Sequence, residues 1–296
     1  MGYDQPLHTT IEFIHIANAV TSSFWLYSNL SFYNGTGLQT MLSHILTIAR
    51  YTLLEGLRAR LVWLVLLVMA ILFTASVLVQ QLAITESVRM QIGFLAATLR
   101  PASVFIICLY IISSQAREFN DKGFELILSL DLARASLVLG KLLGYAAIGL
   151  MLALAISLLA ATLAPLQQAS IWGASLLLEL WLMSALSLFC VITFSHIMPA
   201  MSFALGFYLL ARSISTIQLI SGSAVLDKAS FVHQLMTGAI DLIAAMLPRL
   251  DTFTQSAWLV NAAGNWNMLA PILLQSTIYI GLLTAAAMFD LYRKNW

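Results

Sequence analysis

The sequence predicts an all-α polytopic integral membrane protein with about six transmembrane helices. Three observations predict it. Of 296 residues, 60% are hydrophobic and only 9% charged, whereas a soluble domain is about 25% charged. No soluble interior hides that much apolar side chain, so lipid is the natural solvent. Apolar runs long enough for a helix to cross ~30 Å of hydrocarbon recur along the chain, too long for the ~10-residue alternating strands of a barrel. Lysine and arginine then collect on alternate flanks of those runs.

Residues 1–40 form an extension of unclear role. They are apolar in patches, hold one helix-like stretch at 10–27 and end in the turn-like "NGTG". They lack a basic start followed by a cleavage site, so they do not read as a signal peptide. Met41 stands directly before an amphipathic stretch, and the functional chain is expected to start there.

In "LSHILTIARYTLLEGLRAR" (42–60), Leu42, Ile45, Leu46, Ala49, Leu53 and Leu57 recur at helical spacing, with Ser43, Thr47, Arg50, Glu55 and Arg58 largely elsewhere. This pattern predicts an interfacial helix over about 41–60 that feeds the first span. A permease domain over 61–296 follows, with spans expected at 61–80, 99–115, 142–164, 171–195, 199–220 and 268–289. Arg100-Pro101 reads as the start of the second span, because proline suits the first turn of a helix. Residues 221–267 are the largest non-spanning piece. Within them "FVHQLMTGAIDLIAAMLPRL" predicts an amphipathic helix that stops before Pro248. Trp258 and Trp266 suit a membrane–water boundary. His196 and Pro199 mark the turn between spans four and five.

With the N-terminus inside, one side holds Arg50, Arg58, Arg60, Arg117, Lys122, Arg134, Lys141, Arg293 and Lys294, against Arg89 and Arg100 in the short loops of the other. Nine against two predicts both termini in the cytoplasm, in a bacterial inner membrane. Net charge is +1, which gives no electrostatic footprint for nucleic acid. Cys108 and Cys190 lie in apolar runs and read as buried thiols. No metal site is expected: His8, His15, His44 and His233 show no ligand spacing with a cysteine or a close acid, and the 12 methionines read as packing. Gly140-Lys141 is followed by leucine and is not a phosphate loop, so the chain does not bind ATP by that route.

One segment stands apart. "QAREFNDKGFELILSLDLARASLVLGK" (115–141) carries eight charged residues of the chain's 27. On a helix Arg117, Glu118, Asp121, Lys122 and Glu125 share one face, with Phe119, Gly123, Leu126, Ile127 and Leu130 on most of the other. The i,i+4 pairs Arg117/Asp121 and Glu118/Lys122 stabilise a helix by only about 0.3–0.5 kcal/mol each, too little to explain the density. Two readings stand: a solvated loop helix, or a surface that a soluble partner grips.

Three stretches, "ARYTLLEGLRARLVWLVLL" (49–67), "REFNDKGFELILSLDLARASLVLGKLLGY" (117–145) and "LPRLDTF" (247–253), resemble permease subunits of ABC-2-type ABC transporters. The likeness is to the branch that includes the permease of the nitrous-oxide-reductase copper-maturation transporter. It covers about 41–296. It rests on the acidic-then-arginine pattern Glu55, Arg58, Arg60 and on Glu118, Lys122, Leu128-Ser129, Arg134 and Gly140-Lys141. The turn has Asp131-Leu132 where that family often has a proline. The resemblance implies a cytoplasmic coupling helix at about 115–135, where Arg117, Glu118, Asp121, Lys122, Glu125 and Arg134 receive a separate ABC ATPase subunit. It implies a permease homodimer with no cofactor of its own, ATP and Mg belonging to the ATPase, and work on an exported substrate or a periplasmic partner, with metalloenzyme maturation as one setting. A haem-exporter-like permease, an intramembrane enzyme and a membrane scaffold remain as alternatives.

Within the spans, Glu179 in "SLLLELWLM" and Arg212 each lie about eight residues from the same end of their spans, ~12 Å deep at ~1.5 Å per residue. An unpaired charge costs at least ~2.5–3.5 kcal/mol there. An intramembrane Glu179–Arg212 ion pair is the first reading, with a substrate pathway or a wet crevice as the others.

Overall fold

In a computed structural model, which describes residues 37–59, 61–84, 86–120, 134–221, 231–253 and 255–293, the described residues are mostly helical, joined by short turns and loops, and hold no strand. Helix α1 (Gly37–Arg58) precedes α2 (Leu61–Leu82), α3 (Ser87–Asn120), α4 (Arg134–Ala161), α5 (Leu166–Phe194) and α6 (Ile197–Ser221). Then come α7 (Phe231–Met246), the short α8 (Leu250–Phe253) and α9 (Ala257–Val260), a 3-10 turn (Trp266–Met268) and α10 (Leu269–Arg293). Six of these stretches are long and apolar enough to cross a membrane: 61–82, 87–119, 135–161, 166–194, 197–220 and 266–293.

Helix α5 is the hub. The apolar window of α5 is 72% buried, whereas that of α2 is 6% buried. Helices α3, α4, α6 and α10 pack around α5, and α2 leans on α3 from outside. Apolar burial does not explain this sorting by itself, since both windows are strongly apolar. Helix α5 also carries the small and polar residues Gly173, Ser175, Glu179, Ser184 and Ser187, all buried. Such residues let helices approach closely and hydrogen-bond in lipid, where apolar area supplies little drive. Helix α5 begins after Pro165 and ends at Ser195, whose left-handed φ of 58° and N–H bond to the Val191 carbonyl close the last turn. His196 is exposed in the turn that follows, and Pro199 sits in the first turn of α6, as expected.

The second span departs from expectation. It starts at Ser87, not near 99, so Arg100-Pro101 falls inside α3. Proline removes one backbone hydrogen bond but does not end a membrane helix whose neighbours re-satisfy the freed groups. Arg100 therefore leaves the loop count that was used for orientation.

Helix α1 is held to α4 by glycines. A Cβ on Gly140 would lie 2.7 Å from Ile48 Cβ, and one on Gly144 2.5 Å from Thr52 Cβ. Gly56 of α1 faces Ile148 in the same way, at 2.5 Å from Cδ1. Only glycine lets these backbones come so close. Gly149 is different, since a Cβ there meets Ile107 at an ordinary 3.4 Å. On α1, Ile45 turns into the protein while Leu42, Leu46 and Leu57 stay exposed, so its apolar arc is wider than α4 covers.

After α6, helix α7 ends at Met246 before Pro248, as the pattern predicts. Gln168 at the start of α5 pins the following loop: its Oε1 accepts from the Gly264 N–H at 3.0 Å and its Nε2 donates to the Gly264 carbonyl at 3.3 Å. Trp266 is exposed, but Trp258 is buried, packed in the protein rather than at a membrane boundary.

Candidate functional site

The first cluster lies at mid-span. From Ser87 to Arg100 along α3, and from Leu166 to Glu179 along α5, is ~20 Å of helix axis at ~1.5 Å per residue. Glu179 does not pair with Arg212. Its Oε2 accepts from Arg100 Nη1 at 2.9 Å, with the two side chains 1% and 0% exposed. Arg100 Nη2 also donates to the Trp172 carbonyl at 2.9 Å and to Ser175 Oγ, and its guanidinium lies 4.5 Å from the centre of the Trp172 ring. A guanidinium is the cation suited to such a place, being planar, weakly hydrated and multiply donating. The expected ~12 Å depth matched Glu179 with Arg212, but the longer α3 carries Arg100 to the same level and nearer.

Arg212 takes a different partner. Its Nη1 donates to Tyr208 Oη at 2.8 Å. Tyr208 is buried beside Glu179, and Arg212 is near enough to Arg100 to repel it. Arg100, Glu179, Tyr208 and Arg212 thus form one buried-to-partly-exposed group with two cations and one carboxylate. Among the described residues, Glu179 Oε1 has no hydrogen-bond partner. Sequence reasoning missed Arg100. The signal was present in "QIGFLAATL" (91–99), which carries no charge and extends the apolar run after Pro101 backwards, making Arg100 an intramembrane charge.

The second cluster lies at the other end of α3. Lys141 Nζ of α4 donates to both carboxylate oxygens of Glu118, and Gln115 Nε2 donates to Glu118 Oε2 at 3.0 Å. Arg117 stands 3.5 Å from Glu55 of α1, which also accepts from Ser114 Oγ at 2.8 Å. Glu118 is therefore not a freely solvated charge on an outward face: it closes α3 onto α4. Asp121, Lys122 and Glu125 lie outside the described residues, and so does the expected helix that would carry them. Arg134 opens α4. Near this end Thr193 Oγ1 of α5 donates to Asp290 Oδ2 of α10 at 2.6 Å. Both cysteines are buried.

The cluster at mid-span locks α3 to α5, and the cluster at the helix end joins α1, α3 and α4. Neither brings together a nucleophile, a base and an open space for a reacting atom, the arrangement that hydrolytic chemistry needs. Comparison with known proteins finds no family model and no curated protein that matches the chain.

Proposed function

We propose that the chain is the membrane-spanning permease subunit of an ABC transporter of the ABC-2 type. Two copies would work with two separate ATPase subunits, in a bacterial inner membrane with both termini cytoplasmic. The reading rests on the resemblance of 49–67, 117–145 and 247–253 to that family. One observation supports it most: the two roots of segment 121–133 are tied by charge. Glu118 at the end of α3 holds Lys141 near the start of α4, and Arg117 reaches Glu55 on the interfacial helix. A force applied to 121–133 by a docked ATPase would move α1, α3 and α4 together. The chain itself carries no phosphate loop, so ATP hydrolysis falls to the partner. The exposed apolar flank of α2, with Trp63, Leu66, Leu67 and Leu78, suits lipid or the second permease.

The test is purification of the tagged chain from its native membranes in mild detergent. The expected companion is a soluble ATPase in equal copy number, whose hydrolysis rate changes when the permease is present. Purification free of any ATPase, with undiminished transport, would refute the proposal and favour an ATP-independent carrier or scaffold.

A further inference from the structure

Arg212 is a cation inside the span that meets no counter-charge among the described residues. Among the described residues its one hydrogen bond runs to Tyr208 Oη. Tyr208 lies one turn further into the span, so the guanidinium is held toward mid-membrane and does not snorkel out to the near interface. Among the described residues, no carboxylate lies within ion-pair distance of Arg212: Glu179 is taken by Arg100, and Asp241 of α7 accepts from Gln218. The group thus holds two cations against one anion, in a medium where an uncompensated charge is expensive. Ser215 and Thr216 stand at i+3 and i+4 from Arg212, with Tyr208 at i−4, so four polar side chains share one stripe of α6. Arg212 is partly exposed and Thr216 exposed, so the stripe opens outward. Toward mid-span, exposed Leu209 and partly exposed Leu205 continue the same side of α6 as an apolar surface.

We propose that Arg212, held by Tyr208, binds with Ser215 and Thr216 the anionic headgroup of an amphiphile that enters sideways from the leaflet on the side of segment 221–265, its tails lying along Leu209 and Leu205. Charge-assisted bonds from a guanidinium and hydroxyl donors match the acceptor oxygens of a phosphate or carboxylate. The six spans are all that this requires, so it stands or falls separately from ATPase docking.

Wild-type chain and Arg212→Gln, delipidated in neutral detergent, are titrated with dioleoyl phosphatidylglycerol, dioleoyl phosphatidylcholine and inorganic phosphate. Melting is read with a thiol-reactive dye on Cys108 and Cys190. Phosphatidylglycerol should raise the wild-type melting temperature saturably, and phosphatidylcholine and phosphate should do so little. In Arg212→Gln the phosphatidylglycerol midpoint should weaken at least about tenfold, while Arg212→Lys stays near wild type. Should Arg212→Gln fail to fold, Ser215→Ala with Thr216→Val tests the same stripe and should weaken the midpoint severalfold. Equal midpoints in wild type and the variants overturn the proposal. So does full stabilisation by inorganic phosphate, which marks a soluble-anion site. Loss of dimer in Arg212→Gln with lipid response unchanged also overturns it, and assigns the counter-charge to a second copy.

Discussion

Replacing Glu179 with glutamine should destabilise the bundle through Arg100. The two side chains are 0% and 1% exposed. Glu179→Gln leaves the Arg100 cation with neutral partners only: the Trp172 carbonyl, Ser175 Oγ and the Trp172 ring. Removing one partner of such a pair costs about 3–5 kcal/mol, because the other charge stays buried. At about 2 °C per kcal/mol for a chain of this length, melting should fall by roughly 6–10 °C. Arg100→Gln should cost a similar amount. The double variant buries no charge and should melt within about 8 °C of wild type, where simple addition of the singles gives roughly 12–20 °C. A thiol-reactive fluorogenic dye reads the transition directly, since Cys108 and Cys190 are both buried until the protein opens. The same cycle on Glu179 and Arg212 should show much the weaker coupling, because Arg212 bonds to Tyr208. Additive losses for Arg100 and Glu179, or stronger coupling to Arg212, would refute the assignment of the pair.

Gly144→Val drives a side chain into Thr52, whose Cβ lies 2.5 Å from the position of an added Cβ. Overpacking of this kind costs about 1–3 kcal/mol, and α1 should separate from α4, seen as lost cross-linking between cysteines placed at 49 and 144. Glu118→Lys should destabilise through Lys141, and the exchange Glu118→Lys with Lys141→Glu should recover much of the loss, read as melting of the permease alone. In a cysteine-free background, single cysteines at 121 and 240 should label from opposite faces of the membrane, 121 from the cytoplasm. Labelling of both from one face would contradict the six-span topology.

Five of the six spans can be read from hydropathy because long apolar runs with at most one charge leave a helix no other solvent than lipid. The start of the second span cannot, since Arg100-Pro101 has the local form of a helix entry. Only tertiary contact with Glu179 makes an arginine tolerable at that depth. The glycine contacts at 140 and 144 were legible as small residues at i,i+4 spacing, but not their partner, because any helix face accepts glycine. The identity of the partner of Glu179 was illegible for the same reason: depth along a span is one coordinate, and pairing needs the rotation of each helix as well. The dense charge at 115–141 was legible as a cluster, and its division between internal ties (Glu118 to Lys141, Arg117 to Glu55) and the remaining charges was not.

Whether segment 121–133 receives an ATPase is tested most directly by reversing Glu125, which lies within that segment. Glu125→Lys is compared with wild type in a reconstituted complex with the ATPase, measuring association, ATP hydrolysis and permease melting together. Like charges brought together at a docked interface weaken association and leave the fold intact. The account predicts unchanged permease melting with association at least about tenfold weaker and permease-dependent ATP hydrolysis lost. Full association and normal hydrolysis after the reversal would contradict it.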